Sequence, residues 1–138
     1  MTEKKVIIGH ASHGAQGPHI DLPAGFEPLR LRLDAEYATI EIACPVAIVG
    51  RHSDADLRFA YPDISRRHCR LAFENGQWHV TDLKSLNGIY VNNVLRQDAA
   101  LYSGDLLRIG GVKLLVTSGT PLHPDKLRQI ADVLPASN

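Results

Sequence analysis

The sequence predicts an all-β fold, an antiparallel β-sandwich of about ten or eleven short strands with a short helix at the C-terminus. Three observations predict it. From Leu29 to Thr117 apolar and polar residues alternate in short runs. Turn-forming clusters break those runs at close spacing: ENG (74–76), LNG (86–88), NN (92–93), SGD (103–105) and GG (110–111). Nothing in the same stretch carries the 3.6-residue period of a long amphipathic helix.

In chain order, residues 1–28 are rich in Gly, Pro, Ala and His and hold no sustained period. They are expected to form a flexible N-terminal leader, with at most a short strand at Val6 to Ile8. The sandwich domain is expected over 29–118. LRLRL sets Leu29, Leu31 and Leu33 on one face and Arg30 and Arg32 on the other, and ATIEIA repeats the pattern through Ile40 and Ile42. VAIVG, DLRFA, HCRLAFE, QWHVTDL, GIYVNN, DLLRIG and VKLLVT follow. In HCRLAF the alternation places Cys69, Leu71 and Phe73 on one side, so Cys69 reads as core rather than nucleophile. Trp78 and Val80 share a face, which makes Trp78 a packing residue. Asn-Gly between alternating runs signals a hairpin turn, and Asn87-Gly88 is expected to shape one. In the tail, 119–138, Leu127, Ile130, Ala131 and Leu134 follow helical spacing behind Pro124 and Asp125.

Composition limits the function classes. The 138 residues suffice for one domain with a core. Fifteen basic and fifteen acidic residues give a formal net charge of zero. No global field holds a nucleic acid or an anionic membrane, so any anion site must be local. No stretch approaches the roughly 18 apolar residues of a membrane span, and the apolar run before Gly9 is too short for a signal-peptide core. Cys44 and Cys69 match neither a disulfide framework nor a metal motif. Free thiols fit a reducing compartment, and a cytoplasmic monomer is the expectation. His10, His13 and His19 lack a helix to align them, and no metal or cofactor is expected.

The chemistry gathers in three short stretches. Gly50-Arg51 ends VAIVG, Ser65 and His68 stand three apart in ISRRH, and Asn87-Gly88 sits in DLKSLNGIYVN. Arginine supplies a bidentate fork for an oxyanion, serine a hydroxyl, and asparagine both donor and acceptor atoms suited to a peptide main chain. A phosphothreonine carries about −1.5 to −2 charges and three acceptor oxygens, which such a set would match.

The order and spacing of these stretches, followed by LYSGDLLRIGG, resembles the forkhead-associated (FHA) domain, a phosphothreonine-binding β-sandwich. The resemblance covers roughly Leu29 to Ser118. It implies that Arg51 and Ser65 bind phosphate, with Arg66 as a secondary ligand, and that Asn87 holds the peptide backbone with Leu86 beside it. Gly50, His68 and Gly88 match architectural positions, His68 as a strut for the Ser65 loop. It further implies a phosphothreonine-containing protein as partner, in Ser/Thr-kinase signalling. One position departs: the family commonly has Thr before Asn-Gly, and here Leu86 removes that hydroxyl.

Other readings compete. Arg51 is open to a surface ion pair with Asp54 or Asp56, worth roughly 0–1 kcal/mol. Arg66, Arg67 and Arg70 are open to a solvated face. Ser65, His68 and Asp82 can be scanned as a hydrolytic triad, but Ser65 is on no strand-turn-helix elbow. The serious rival is a phosphate-independent protein-interaction domain on the same fold.

Overall fold

The computed structural model describes residues 4–9, 22–33 and 38–125. Among the described residues are twelve strands: β1 (Lys4–Ile8), β2 (Leu29–Leu33), β3 (Ala38–Ile42), β4 (Val46–Gly50), β5 (Leu57–Arg58), β6 (Cys69–Glu74), β7 (Gln77–Asp82), β8 (Ile89–Val91), β9 (Val94–Arg96), β10 (Asp98–Ala100), β11 (Leu106–Ile109) and β12 (Val112–Ser118). They form two sheets, one of seven strands in the order β1-β3-β2-β12-β11-β8-β9 and one of five in the order β10-β7-β6-β4-β5. All pairs are antiparallel except β1 with β3 and β4 with β5.

The alternation seen in the sequence is the alternation of burial. Leu29 and Leu31 of β2, Ile40 and Ile42 of β3, and Leu71, Phe73, Trp78 and Val80 of β6 and β7 face the space between the sheets. They join one core with Ile89, Leu107, Ile109 and Leu114. Burying each such side chain removes apolar area worth about 1.5–3 kcal/mol from water. Trp78 is fully buried, donates its indole N–H to the Glu27 carbonyl at 2.8 Å, and meets Phe26 and Phe73 in tilted and edge contacts. Cys69 lies in this core as a free thiol, and burial, with Asp82 nearby, pushes its pKa far up.

Segments before Leu29 also pack on the sandwich. β1 pairs with β3 along its whole length, and Phe26 covers Phe73. The expected C-terminal helix falls, beyond Pro124 and Asp125, outside the described residues, as do His10, His13 and His19. Among the described residues no helix is long and apolar enough to cross a membrane.

Turn chemistry explains the hairpins. Asn75 and Gly76 both have positive φ, 53° and 77°, and join β6 to β7; Asn92 and Asn93, at 51° and 68°, join β8 to β9. Those are the conformations a tight two-residue hairpin demands. Asn87-Gly88 is different, and the hairpin expectation fails there. β7 pairs with β6 and β10, whereas β8 pairs with β11 and β9, so residues 83–88 cross between sheets. Of the Asn87-Gly88 pair only Gly88 takes a positive φ, 75°, while the Asn87 side chain donates to the Asp63 carbonyl instead of shaping a two-residue turn.

Candidate functional site

Three segments meet at one end of the sandwich: the residues leaving β4, the connection that precedes β6, and the crossover from β7 to β8. Backbone bonds dock the first two, Arg51 N–H to Ser65 O at 2.9 Å and His52 N–H to Arg66 O at 3.1 Å. Close approach requires glycine at 50, because a Cβ there would lie 2.0 Å from the Arg66 carbonyl oxygen. Backbone occupies that space, so nothing flexible can yield.

His68 ties the second segment to the third. It is fully buried. Its Nδ1 accepts the Ser65 backbone N–H at 3.1 Å and its Nε2 donates to the Gly88 carbonyl at 2.7 Å. A carbonyl only accepts and an amide N–H only donates, so this pairing selects the tautomer protonated at Nε2. The same contacts leave no hydrogen bond from the Ser65 hydroxyl to His68, which a hydrolytic triad would need.

Ser65 Oγ accepts the Leu86 N–H at 2.9 Å, a second link between these segments, and keeps its own hydroxyl proton available to donate. Ser85 turns inward. Its hydroxyl donates to Asp82 and accepts the Gly88 N–H at 2.9 Å, so it closes the crossover and does not replace the hydroxyl absent at Leu86. The Leu86 side chain is 89% exposed.

The Arg51 fork is oriented by its Nε, which donates to the Ile64 carbonyl at 3.0 Å. Neither aspartate expected as its partner pairs with it. Asp54 contacts His52 and lies 3.6 Å from Arg67, and Asp56 accepts the Ile48 N–H at 2.8 Å. The hydrogen bond with His52 and the charges of His52 and Arg67 hold the Asp54 carboxyl below its ordinary range. Arg70 pairs with Glu74 at 3.5 Å. Among the described residues Arg51 and Arg66 form no ion pair with a carboxylate, and both are exposed. Three arginines that look alike in sequence thus divide, Arg67 and Arg70 towards neighbours and Arg66 towards solvent.

Asn87 donates Nδ2 to the Asp63 carbonyl at 2.7 Å, which leaves its Oδ1 as an acceptor at the surface. Asp63 was not singled out from the sequence, yet it organises this corner. Its carboxylate accepts the Gly111 N–H at 2.5 Å, joining the segment before β6 to the β11–β12 turn. A Cβ at Gly110 would lie 2.9 Å from the Asp63 carbonyl oxygen. A lone aspartate carries no pattern, but an Asp just ahead of a chemistry-bearing Ser, with a distant Gly-Gly, was the available signal. Tyr90 and Arg108 were also missed. They pair across β8 and β11, with the Arg108 guanidinium 4.2 Å from the Tyr90 ring centre. With Asp63, Asn87, Gly110 and Gly111 they line a shallow groove beside the site. Only strand register brings that pair together.

The profile of the family described as FHA domain matches residues 47–110. An oxoglutarate dehydrogenase inhibitor of Corynebacterium diphtheriae is 32% identical over 117 residues, 84% of this chain and 82% of that protein. The glycogen accumulation regulator GarA of Mycolicibacterium smegmatis is 39% identical over 75 residues, 54% of this chain and about half (48%) of GarA. Among solved structures, an FHA domain studied for phosphothreonine-dependent interactions superimposes with a TM-score of 0.62 at 31% identity, over 71% of this chain and 99% of that one. The FHA domain of FhaA, crystallised with the intracellular domain of Rv3910, gives 0.60 at 32% identity over 64% and 98%.

Proposed function

The chain belongs to the forkhead-associated domain family, and from that premise we propose that it is a non-catalytic module that reads phosphothreonine in a partner protein within Ser/Thr-kinase signalling. Arg51 anchors the phosphate and Ser65 donates its hydroxyl, with Arg66 adding charge at the rim. Asn87 holds the main chain of the bound segment, and Leu86 sits beside it. Gly50, His68 and Gly88 keep the three segments in register. The partner is a phosphothreonine-containing protein. The domain works as a monomer in the cytoplasm, its sandwich over residues 29–118 joined by β1, which pairs with β3, and there thiols such as Cys44 and Cys69 stay free.

One observation carries the reading. Arg51 and Ser65, fourteen positions apart, are fastened to each other through backbone at 2.9 Å while Arg51 forms no ion pair among the described residues. A purely structural arginine at this position would be expected to take a carboxylate. A preorganised fork beside a hydroxyl donor suits a dianion with three acceptor oxygens.

Titration calorimetry with a phosphothreonine peptide and its unphosphorylated twin tests this. Wild type should bind only the phosphorylated form. Arg51→Ala should lose about 1.5–3 kcal/mol of binding, the range for charge-assisted hydrogen bonds. Equal binding of both peptides by wild type would favour the phosphate-independent alternative.

A further inference from the structure

The outward faces of the two sheets carry charge differently. In the seven-stranded sheet Lys5, Arg30, Arg32, Arg108 and Lys113 occupy positions that alternate with core residues. Glu41 of β3 is the one carboxylate on that side among the described residues. The outward side of the five-stranded sheet is balanced, Arg58 and Arg70 against Glu74 and Asp98, and Arg70 pairs with Glu74 at 3.5 Å. In a chain of zero formal net charge the first face is a local positive field.

Strand register makes that face costly to keep. Arg108 and Lys113 stand directly opposite each other in the β11–β12 ladder, where like charges repel. Among the described residues neither they nor Lys5 form an ion pair with a carboxylate, and Glu41 is taken by Arg30 at 3.0 Å. The Arg108 guanidinium lies over Tyr90, and its buried Nε has no hydrogen-bond partner among those residues. The adjoining row carries hydrocarbon. Leu106 stands opposite Leu115, Leu115 opposite Arg32, Arg32 opposite Thr39, and Thr39 opposite Lys5. Leu115 is exposed within it. At about 4.8 Å between strands, the row spans roughly 19 Å.

We propose that this face docks an acidic surface of a folded protein partner, with Arg108, Lys113 and Leu115 at its centre and no phosphate required. Uncompensated cations name the sign of the partner, and Arg, Tyr and exposed hydrocarbon side by side are the composition of a protein interface. A nucleic acid draws its affinity from many phosphate contacts, and three cations without carboxylate partners on a neutral chain are too few. A membrane gains equally little from them without an apolar wedge to insert. The sheet offers roughly 500 Å² on this side, the scale of a transient contact. The face also lies apart from the phosphate site. The β11–β12 turn touches Asp63 at the loop end, and β12 runs from there along the side of the sandwich. One partner can therefore occupy both.

Amide shifts of the full chain would be followed by NMR as an unphosphorylated peptide of Glu-Glu-Leu repeats is added. A Glu-Glu-Ser repeat, an equally charged single-stranded oligonucleotide and phosphatidylserine vesicles are the rivals. The Glu-Glu-Leu peptide should move residues 106–108 and 113–117 and bind about fivefold tighter than each rival. Lys113→Glu should weaken it about tenfold. The same variant should melt about 1–4 °C higher, because opposed cations become a pair, and should bind a phosphothreonine peptide as wild type does. Arg51→Ala should leave the Glu-Glu-Leu shifts unchanged. Shifts centred on Arg51 and Ser65, or equal or tighter binding of any rival, would overturn the docking face. So would wild-type peptide affinity or a lower melting temperature in Lys113→Glu. None of these results touches the phosphothreonine reading, which its own titration decides.

Discussion

The two ends of the sandwich use the same device for different outcomes. Among the described residues the buried polar or charged side chains are His68 and Asp105, one at each end. β11, Leu106–Ile109, lies between Asp105 and Gly110, whose neighbour Gly111 contacts Asp63 at the site end. His68 bridges the Ser65 N–H to the Gly88 carbonyl. Asp105 bridges the Tyr102 N–H at 2.8 Å to the Asn92 side-chain amide at 2.9 Å, with His123 at 4.0 Å. Around Asp105 the remaining polar groups satisfy one another: Ser103 Oγ donates to Thr120 O, and Thr120 Oγ donates to Leu101 O. Around His68 the bracing is equally complete, but Arg51, the Ser65 hydroxyl and Asn87 Oδ1 face outward with donors and acceptors left over. A buried polar strut therefore indicates a braced loop. The uncommitted groups beside it are what indicate a ligand.

The largest expected effect would break the likeness between the ends. His68→Ala empties a fully buried position and strands a part-buried N–H and a part-buried carbonyl, which should cost about 2–4 kcal/mol of stability in denaturant melts. Asp105→Ala should cost a similar amount. The comparison sharpens in binding: below its melting temperature His68→Ala should lose phosphothreonine-peptide affinity, whereas Asp105→Ala should keep it. Loss of affinity in both would mean the ends are coupled.

Arg51→Ala should show the reverse split. Its side chain is exposed and holds a single backbone bond through Nε, so stability should move by less than about 1 kcal/mol. Binding carries the larger loss stated above, read in the same calorimetric series.

The smallest effect concerns Leu86→Thr. It adds one hydroxyl near the Ser65–Leu86 link, so affinity for an alanine-flanked phosphothreonine peptide should rise by no more than about 0.5–1.5 kcal/mol. A gain as large as the Arg51 loss would show that the missing hydroxyl, and not the guanidinium, limits the site.

Much of this was legible in the sequence because a two-residue period leaves its mark wherever one face is buried. LRLRL, ATIEI and CRLAFE became β2, β3 and β6 with the anticipated inward residues. β9 and β10 were invisible: VLR is exposed throughout, and DAA offers one buried alanine. The parallel place of β1 beside β3 was equally unreadable, since sheet order is decided by long-range pairing. At the candidate site, Arg51, Ser65, His68 and Asn87 stood out because the order and spacing of their stretches resemble the forkhead-associated family. Asp63, Tyr90 and Arg108 did not, because their partners are set by loops and register. Asn87-Gly88 misled as a hairpin, since the same dipeptide serves a crossover when a neighbouring segment offers its side chain a carbonyl.

The most direct test maps backbone amide shifts by NMR as a phosphothreonine peptide is added. The account predicts that the largest changes fall on Arg51, His52, Ser65, Arg66 and the 86–88 stretch, absent with the unphosphorylated peptide. Asn92 and residues 101–105 should stay still. Shifts centred on the Asp105 end, or the same shifts from both peptides, would contradict it.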